Sequence, residues 1–186
     1  IGNRSVVTNN HVLPDAEAAR AARFEFNFEE DAAGRLKRVS SYPPDPAGLD
    51  FVTSPVAALD CSIVRLAEEP GEPPLDSWGV LAIAPPPDAT AVGDFVTIIQ
   101  HPNGGQKKIA LTANEVVNVF GNKLHYMTDT LAGSSGSPVF DARWRVVALH
   151  HAGGNLVKNA QGDRFFANEG ILFGAIRADP ILGARL

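Results

Sequence analysis

The chain has 186 residues and 19.7 kDa, with 16 Lys and Arg against 21 Asp and Glu, a net charge of −5. That size fits one domain or two small lobes and buries a core without disulfide staples. The acidic balance argues against a nucleic-acid-coating face and no apolar run approaches the roughly 18 residues of a membrane span, so neither nucleic acid nor a membrane is expected as a partner.

Taken in chain order, Ile1-Gly2-Asn3-Arg4 has no signal-peptide shape. Ser5–Thr8 reads as a strand that ends at Thr8-Asn9-Asn10-His11-Val12. Pro14 to Ala22 is Ala-rich, with Pro at the first helical position and acids in the first turn, and predicts a short helix. Phe24, Phe26 and Phe28 alternate with polar residues, so they form one apolar strand face belonging to the core. Leu49-Asp50-Phe51-Val52 opens another apolar run. Cys61–Leu66 is a longer one, with Asp60 at its mouth. Cys61 is the single cysteine, which rules out an internal disulfide and leans toward a reducing compartment without fixing one. On a strand, it reads as core packing rather than a nucleophile.

Ala84-Pro85-Pro86-Pro87-Asp88 is the expected seam, because three prolines in a row cannot donate to a ladder. It divides the chain into a lobe over residues 1–84, a linker over 85–91 and a lobe over 92–186. Short runs follow at 95–99, 109–112, 115–119, 139–140, 146–149 and 170–173, and the stretch after Pro180 predicts a second short helix. Short β runs separated by turn residues predict an all-β antiparallel sandwich or barrel.

Chemistry concentrates in Gly133-Ser134-Ser135-Gly136-Ser137-Pro138. A Ser between glycines ahead of a strand suits a nucleophile, and the N–H groups of Gly133 and Ser135 suit an oxyanion hole. Alone, the segment reads more readily as a Gly/Ser turn between strands. Together with His11 at the end of one strand and Asp60 at the start of another, it gives the order His, Asp, Ser. On T-N-N-H-V, L-D-C-S-I-V-R-L, the proline linker and T-D-T-L-A-G-S-S-G-S-P-V-F, the chain resembles chymotrypsin-like serine peptidases of the bacterial glutamyl-endopeptidase and Deg-type branch.

The resemblance implies a double barrel: two six-stranded-type antiparallel β-barrels, a short helix after the catalytic His and a C-terminal helix. Because His11 comes so early, the first barrel is expected to lack its leading strands and the chain to belong to a longer one. The implied activity is endopeptidase action on a polypeptide without metal or organic cofactor. Ser135 would be the nucleophile, His11 the base and Asp60 its orienting acid, with His11 and Asp60 from the first lobe and Ser135 from the second. Asp60 is preferred to Asp50, which reads as a solvated loop acid. Thr130 and His150 fall where glutamyl endopeptidases bind the substrate carboxylate, which implies cleavage after Glu. Gly153, with Gly154, falls on the edge where substrate backbone pairs.

His151 follows His150 on a strand and points the other way, to the surface or the cleft rim, so the pair makes no metal site. His101 reads as a structural hydrogen-bonder and Trp144 as a hairpin-turn residue. His125 has no identified partner, and Asn168-Glu169-Gly170-Ile171 has no assigned role. Ser134 stands where zymogen-activated relatives carry Asp, so Ile1-Gly2 is not expected to act as an activation terminus. The competing readings are a catalytically silent peptide-binding or regulatory lobe and an esterase with the same triad. A linked sensor or regulatory domain would be the expected partner in a longer bacterial protein.

Overall fold

The computed structural model describes residues 2, 4–46, 50–85, 90–158, 162 and 164–186, with the backbone alone at 155–156. Ile1 and most of the expected proline linker lie outside the described residues. The chain forms two compact units, one of Ile1–Leu81 with Asp179–Leu186 and one of Ala82–Ala178. It is mostly β, with few and short helices. No helix among the described residues is long and apolar enough to cross a membrane.

In the first unit, β1 (Ser5–Thr8) and β4 (Phe51–Ser54) flank β5 (Cys61–Arg65) in an antiparallel sheet. Residues 61 to 64 of β5 are buried throughout, as its central position requires. The register pairs Thr8 with Ser62 and Ser54 with Cys61. The end of β1 and the start of β5 are therefore neighbours, which brings the segment after Thr8 to the residue before Cys61. Ser62 Oγ donates to Leu13 O at 2.8 Å and ties that segment down.

Helix α1 (Ala16–Ala21) is shorter than the Pro14 start suggests. Asp15 is its N-cap, and Oδ1 accepts the N–H groups of Glu17 and Ala18 at 3.0 and 2.8 Å. A carboxylate cap outcompetes proline as the start signal because it satisfies two orphan donors. β2 (Phe24–Phe26) pairs with β3 (Ser40–Tyr42). Phe24 and Phe26 pack into the core with Leu13, Ala19, Tyr42, Val64, Leu66 and Leu75. Phe26 meets Tyr42 edge-on at 5.4 Å and stacks on Trp78 at 5.2 Å. Phe28 does not join them in the strand, because the chain turns at Asn27 with φ +64°.

The second unit holds β6 (Thr97–Gln100), β7 (Lys108–Ala110), β8 (Val116–Phe120), β9 (Lys123–Tyr126), β10 (Pro138–Phe140), β11 (Val146–Lys158) and β12 (Arg164–Leu172). Their order in the sheet is β7-β6-β10-β11-β12-β9-β8. Phe95 bridges Glu115, and Val96 N donates to Asn114 O while Val116 N donates to Asp94 O. Residues entering β6 and β8 thus pair with each other. β7 and β8 act as halves of one interrupted strand, and the sheet closes into a barrel, six-stranded in effect, which leaves few unpaired edges. Its core joins Val96, Ile98, Val116, Leu124, Tyr126, Val139, Val147 and Ala148. Ile83 already bridges Val146 ahead of the triple proline.

β11 and β12 run well beyond the apolar stretches 146–149 and 170–173, since each supplies the ladder partners of the other from Ala148–Leu172 to Lys158–Arg164. The last α-helix, α2 (Phe173–Ala178), lies before Pro180 rather than after it. Beyond Pro180 only a 3₁₀ turn forms, at Gly183–Arg185.

Candidate active site

The first unit builds a His–Asp pair. Asp60 is fully buried, with its backbone in the left-handed region at φ +39°. Asp60 N donates to Pro55 O at 3.0 Å, and Asn9 Nδ2 donates to Asp60 O at 3.0 Å. Both carboxylate oxygens serve His11: Oδ1 accepts the His11 N–H at 2.9 Å, and Oδ2 lies 2.7 Å from the ring Nδ1. An ionised carboxylate only accepts, so the Nδ1 of His11 carries the proton of that bond. Asn10 Nδ2 donates to Thr53 Oγ1 at 2.8 Å and holds the turn on β4. The His11 side chain remains 37% exposed.

Asp50 does not meet His11. It pairs with Arg185, at 3.0 and 3.1 Å. Cys61 is buried, and burial foremost, with Asp60 and Asp179 adding, pushes its thiol pKa up to about 12. Such a thiol stays protonated and unreactive.

The second unit carries Ser135. Gly133, at φ +89°, fits where a Cβ would lie 2.9 Å from Gly104 N and 3.3 Å from His101 O, so only glycine passes there. Asn103 N donates to Ala132 O at 2.6 Å, and Ser134 N to Leu131 O at 3.1 Å. Past Ser135, Gly136 N donates to His150 O, and His150 N returns the bond to Ser137 O, both at 2.9 Å. The loop is thereby pinned to β11 on one side and to the 101–104 turn on the other. Within that turn, His101 Nδ1 lies 2.9 Å from Gly105 O. Trp144 occupies the turn between β10 and β11 with φ +58°.

Around β11, Thr130 and Gly153 come together: a Cβ on Gly153 would lie 3.4 Å from Thr130 Oγ1. His150 is buried, its Nδ1 2.7 Å from the Tyr126 hydroxyl. Burial, with Glu169 adding, holds the Tyr126 phenol far above its usual pKa, so it stays neutral.

His151 reaches a different partner from His150, as strand alternation requires. It is not a surface residue, since its side chain is only 12% exposed and Nε2 lies 2.7 Å from Glu169 Oε1. Nor is His125 unpartnered. Its Nε2 lies 2.8 Å from Glu169 Oε2, and Nδ1 lies 3.3 Å from Asn118 Nδ2. Lys123 Nζ completes the group at 2.7 Å from Glu169 Oε1. Burial opposes the Glu169 charge, but bonds from His125, His151 and Lys123 outweigh it and hold its pKa well below the carboxylate range. Glu169, without a role in the sequence, thus engages three side chains, and Asn168 beside it bonds Thr128 and Thr130. The signal for them was a polar pair set inside an apolar strand.

The trypsin-like peptidase domain model matches residues 1–149. The uncharacterized protein y4fB of Sinorhizobium fredii is 44% identical over 163 residues, which are 82% of this chain and 24% of that protein. Glutamyl endopeptidase of Staphylococcus epidermidis is 24% identical over 173 residues, 91% of this chain and 57% of its own. The chain therefore spans about a quarter of the first and little more than half of the second. Among solved structures, a Glu endopeptidase in complex with MPD aligns with TM-score 0.59 and 18% identity, covering 92% of this chain and 76% of that one. Deg5 aligns with TM-score 0.60 and 16% identity, over 94% and 75%. These likenesses carry the chymotrypsin-like fold, and the family match, together with the His11–Asp60 pair, carries the rest: the chain belongs to the trypsin-like peptidase domain family of serine proteases.

Proposed function

We propose that the chain is a serine endopeptidase that cleaves polypeptides after acidic residues, chiefly Glu, with Ser135 as nucleophile, His11 as general base and Asp60 as its orienting carboxylate. The observation that carries the reading is the His11–Asp60 pair: a dry carboxylate on Nδ1 at 2.7 Å fixes the ring tautomer and leaves Nε2 as the basic nitrogen. In the proposed cycle Ser135 Oγ attacks the scissile carbonyl carbon and its proton passes to His11 Nε2. The N–H groups of Gly133 and Ser135 hold the oxyanion. His11 then protonates the leaving amine, the C–N bond breaks, and an acyl-enzyme remains on Ser135. Water, deprotonated by His11, releases the acid and restores the serine.

The Glu preference is supported by a His at position 150 on β11 and by the distant glutamyl endopeptidase relative. The test is a fluorophosphonate probe with a peptide library. Labelling that disappears in Ser135→Ala, with cleavage after Glu, is the expected result. A folded protein that takes no label is a peptide-binding lobe instead. A labelled protein that cleaves after Arg or Leu keeps the chemistry and loses the specificity.

A further inference from the structure

Asn168 lies in β12, buried against the segment that precedes the nucleophile loop. Its Nδ2 donates to Thr128 O, and Thr130 Oγ1 lies 2.9 Å from its Oδ1. A backbone carbonyl can only accept, so the amide has one orientation, with its NH₂ toward Thr128 and its oxygen toward Thr130. That oxygen also only accepts. The single hydroxyl proton of Thr130 is therefore spent on Asn168, and Thr130 offers lone pairs in every other direction. The segment cannot easily shift to break the pattern, because Gln100 Nε2 holds Asp129 O at 2.9 Å.

Gly153 locates this pattern on the wall read by substrate. A Cβ there would stand 2.9 Å from Asn168 Oδ1 and 3.4 Å from Thr130 Oγ1. Both oxygens crowd one side of Gly153, and both present there as acceptors. A carboxylate needs donors, whereas a primary amide brings its own N–H groups.

We infer that Asn168 is a specificity-determining residue: by taking the Thr130 proton it narrows the pocket's preference for Glu over Gln before the scissile bond. The inference rests on the proposed function, since it assumes that Thr130, His150 and Gly153 line the pocket of an active peptidase. Releasing the Thr130 proton turns that hydroxyl into a donor and moves the preference toward Glu.

The experiment compares kcat/KM for two peptides differing only in Glu or Gln before the cleaved bond, with fluorophosphonate labelling as an independent readout of the catalytic groups. In the unaltered protein Glu is expected to be favoured over Gln by less than about tenfold. Asn168→Ala is expected to raise that ratio about tenfold, the scale of one hydrogen bond to a charged group. Thr130→Val is expected to slow the Gln peptide more than the Glu peptide. A loss of packing alone would slow both equally. A ratio above about a hundredfold in the unaltered protein overturns the inference, and needs no variant to fold. So does a ratio unmoved by Asn168→Ala in a variant that still labels, or labelling with cleavage of neither peptide. Absence of labelling overturns instead the function on which the inference stands.

Discussion

At the scale of single residues the decisive group is Asp60. Its carboxylate has no solvent to fall back on, and its two oxygens are committed to the His11 backbone and the His11 ring. A left-handed backbone at a non-glycine residue costs on the order of 1 kcal/mol, and the turn from Pro55 and the Asn9 side chain hold it there. Asp60→Asn keeps the shape but can place an N–H against the ring, which favours the wrong tautomer. We expect kcat on a cleaved peptide to fall by about 10⁴-fold with little change in KM. Steady-state kinetics on the purified variant checks it, and an effect on KM alone would assign Asp60 to substrate binding. This pair was legible in the sequence because each residue sits at a strand end, where a motif stands apart from core patterning. The Thr130–Asn168 bond was not, because partners 38 positions apart leave no mark on local spacing.

At the scale of elements, three strands meet in one charged group. β9 supplies Lys123 and His125, β11 supplies His151, and β12 supplies the Glu169 that all three engage. Cross-strand pairing sets this arrangement, since Glu169 stands opposite His125 in the ladder. The Glu169 pKa is depressed in the folded state, so its contribution is fully present above the ordinary carboxylate pKa of about 4.3 and is lost as pH falls below it. Glu169→Gln is expected to destabilise the protein by about 2 kcal/mol at pH 7. The gap between the two proteins should begin to narrow as the pH falls below about 4.3 and go on narrowing past 3, since the folded-state pKa lies far lower. Urea unfolding of both across that range checks the sign, and a gap that widens in acid would contradict it. The same strands show where sequence patterning stops short. Apolar periodicity marked only the inner ends of β11 and β12, because Gly153-Gly154 and the polar Asn168-Glu169 break it while the hairpin ladder continues. Helix α1 is legible in the sequence but starts two residues after Pro14, since Pro14 and Asp15 both signal a start and only the carboxylate caps.

At the scale of the whole molecule, the proposed base and nucleophile belong to different units, and the first unit is not continuous in sequence. Asp179–Leu186 completes it, with Leu182 buried and Arg185 paired to Asp50. Deleting residues 179–186 should therefore loosen the first unit by at least the roughly 2 kcal/mol of one buried Leu and leave the second barrel as it was. Hydrogen exchange reads this directly: β5 amides should exchange faster, and β10 to β12 amides unchanged. Equal acceleration in both would mean that the units unfold as one. The return of the tail was not legible in the sequence, because a short segment after the last strand carries no pattern that assigns it to either half. That return also orders events during synthesis. A ribosome must translate all of Ala82–Ala178 before it releases the residues that finish the unit holding His11 and Asp60. A nascent chain would then carry Ser135 in a barrel that can already close while its base still waits for a complete support. The proposed hydrolytic activity would then depend on residues 179–186 being in place.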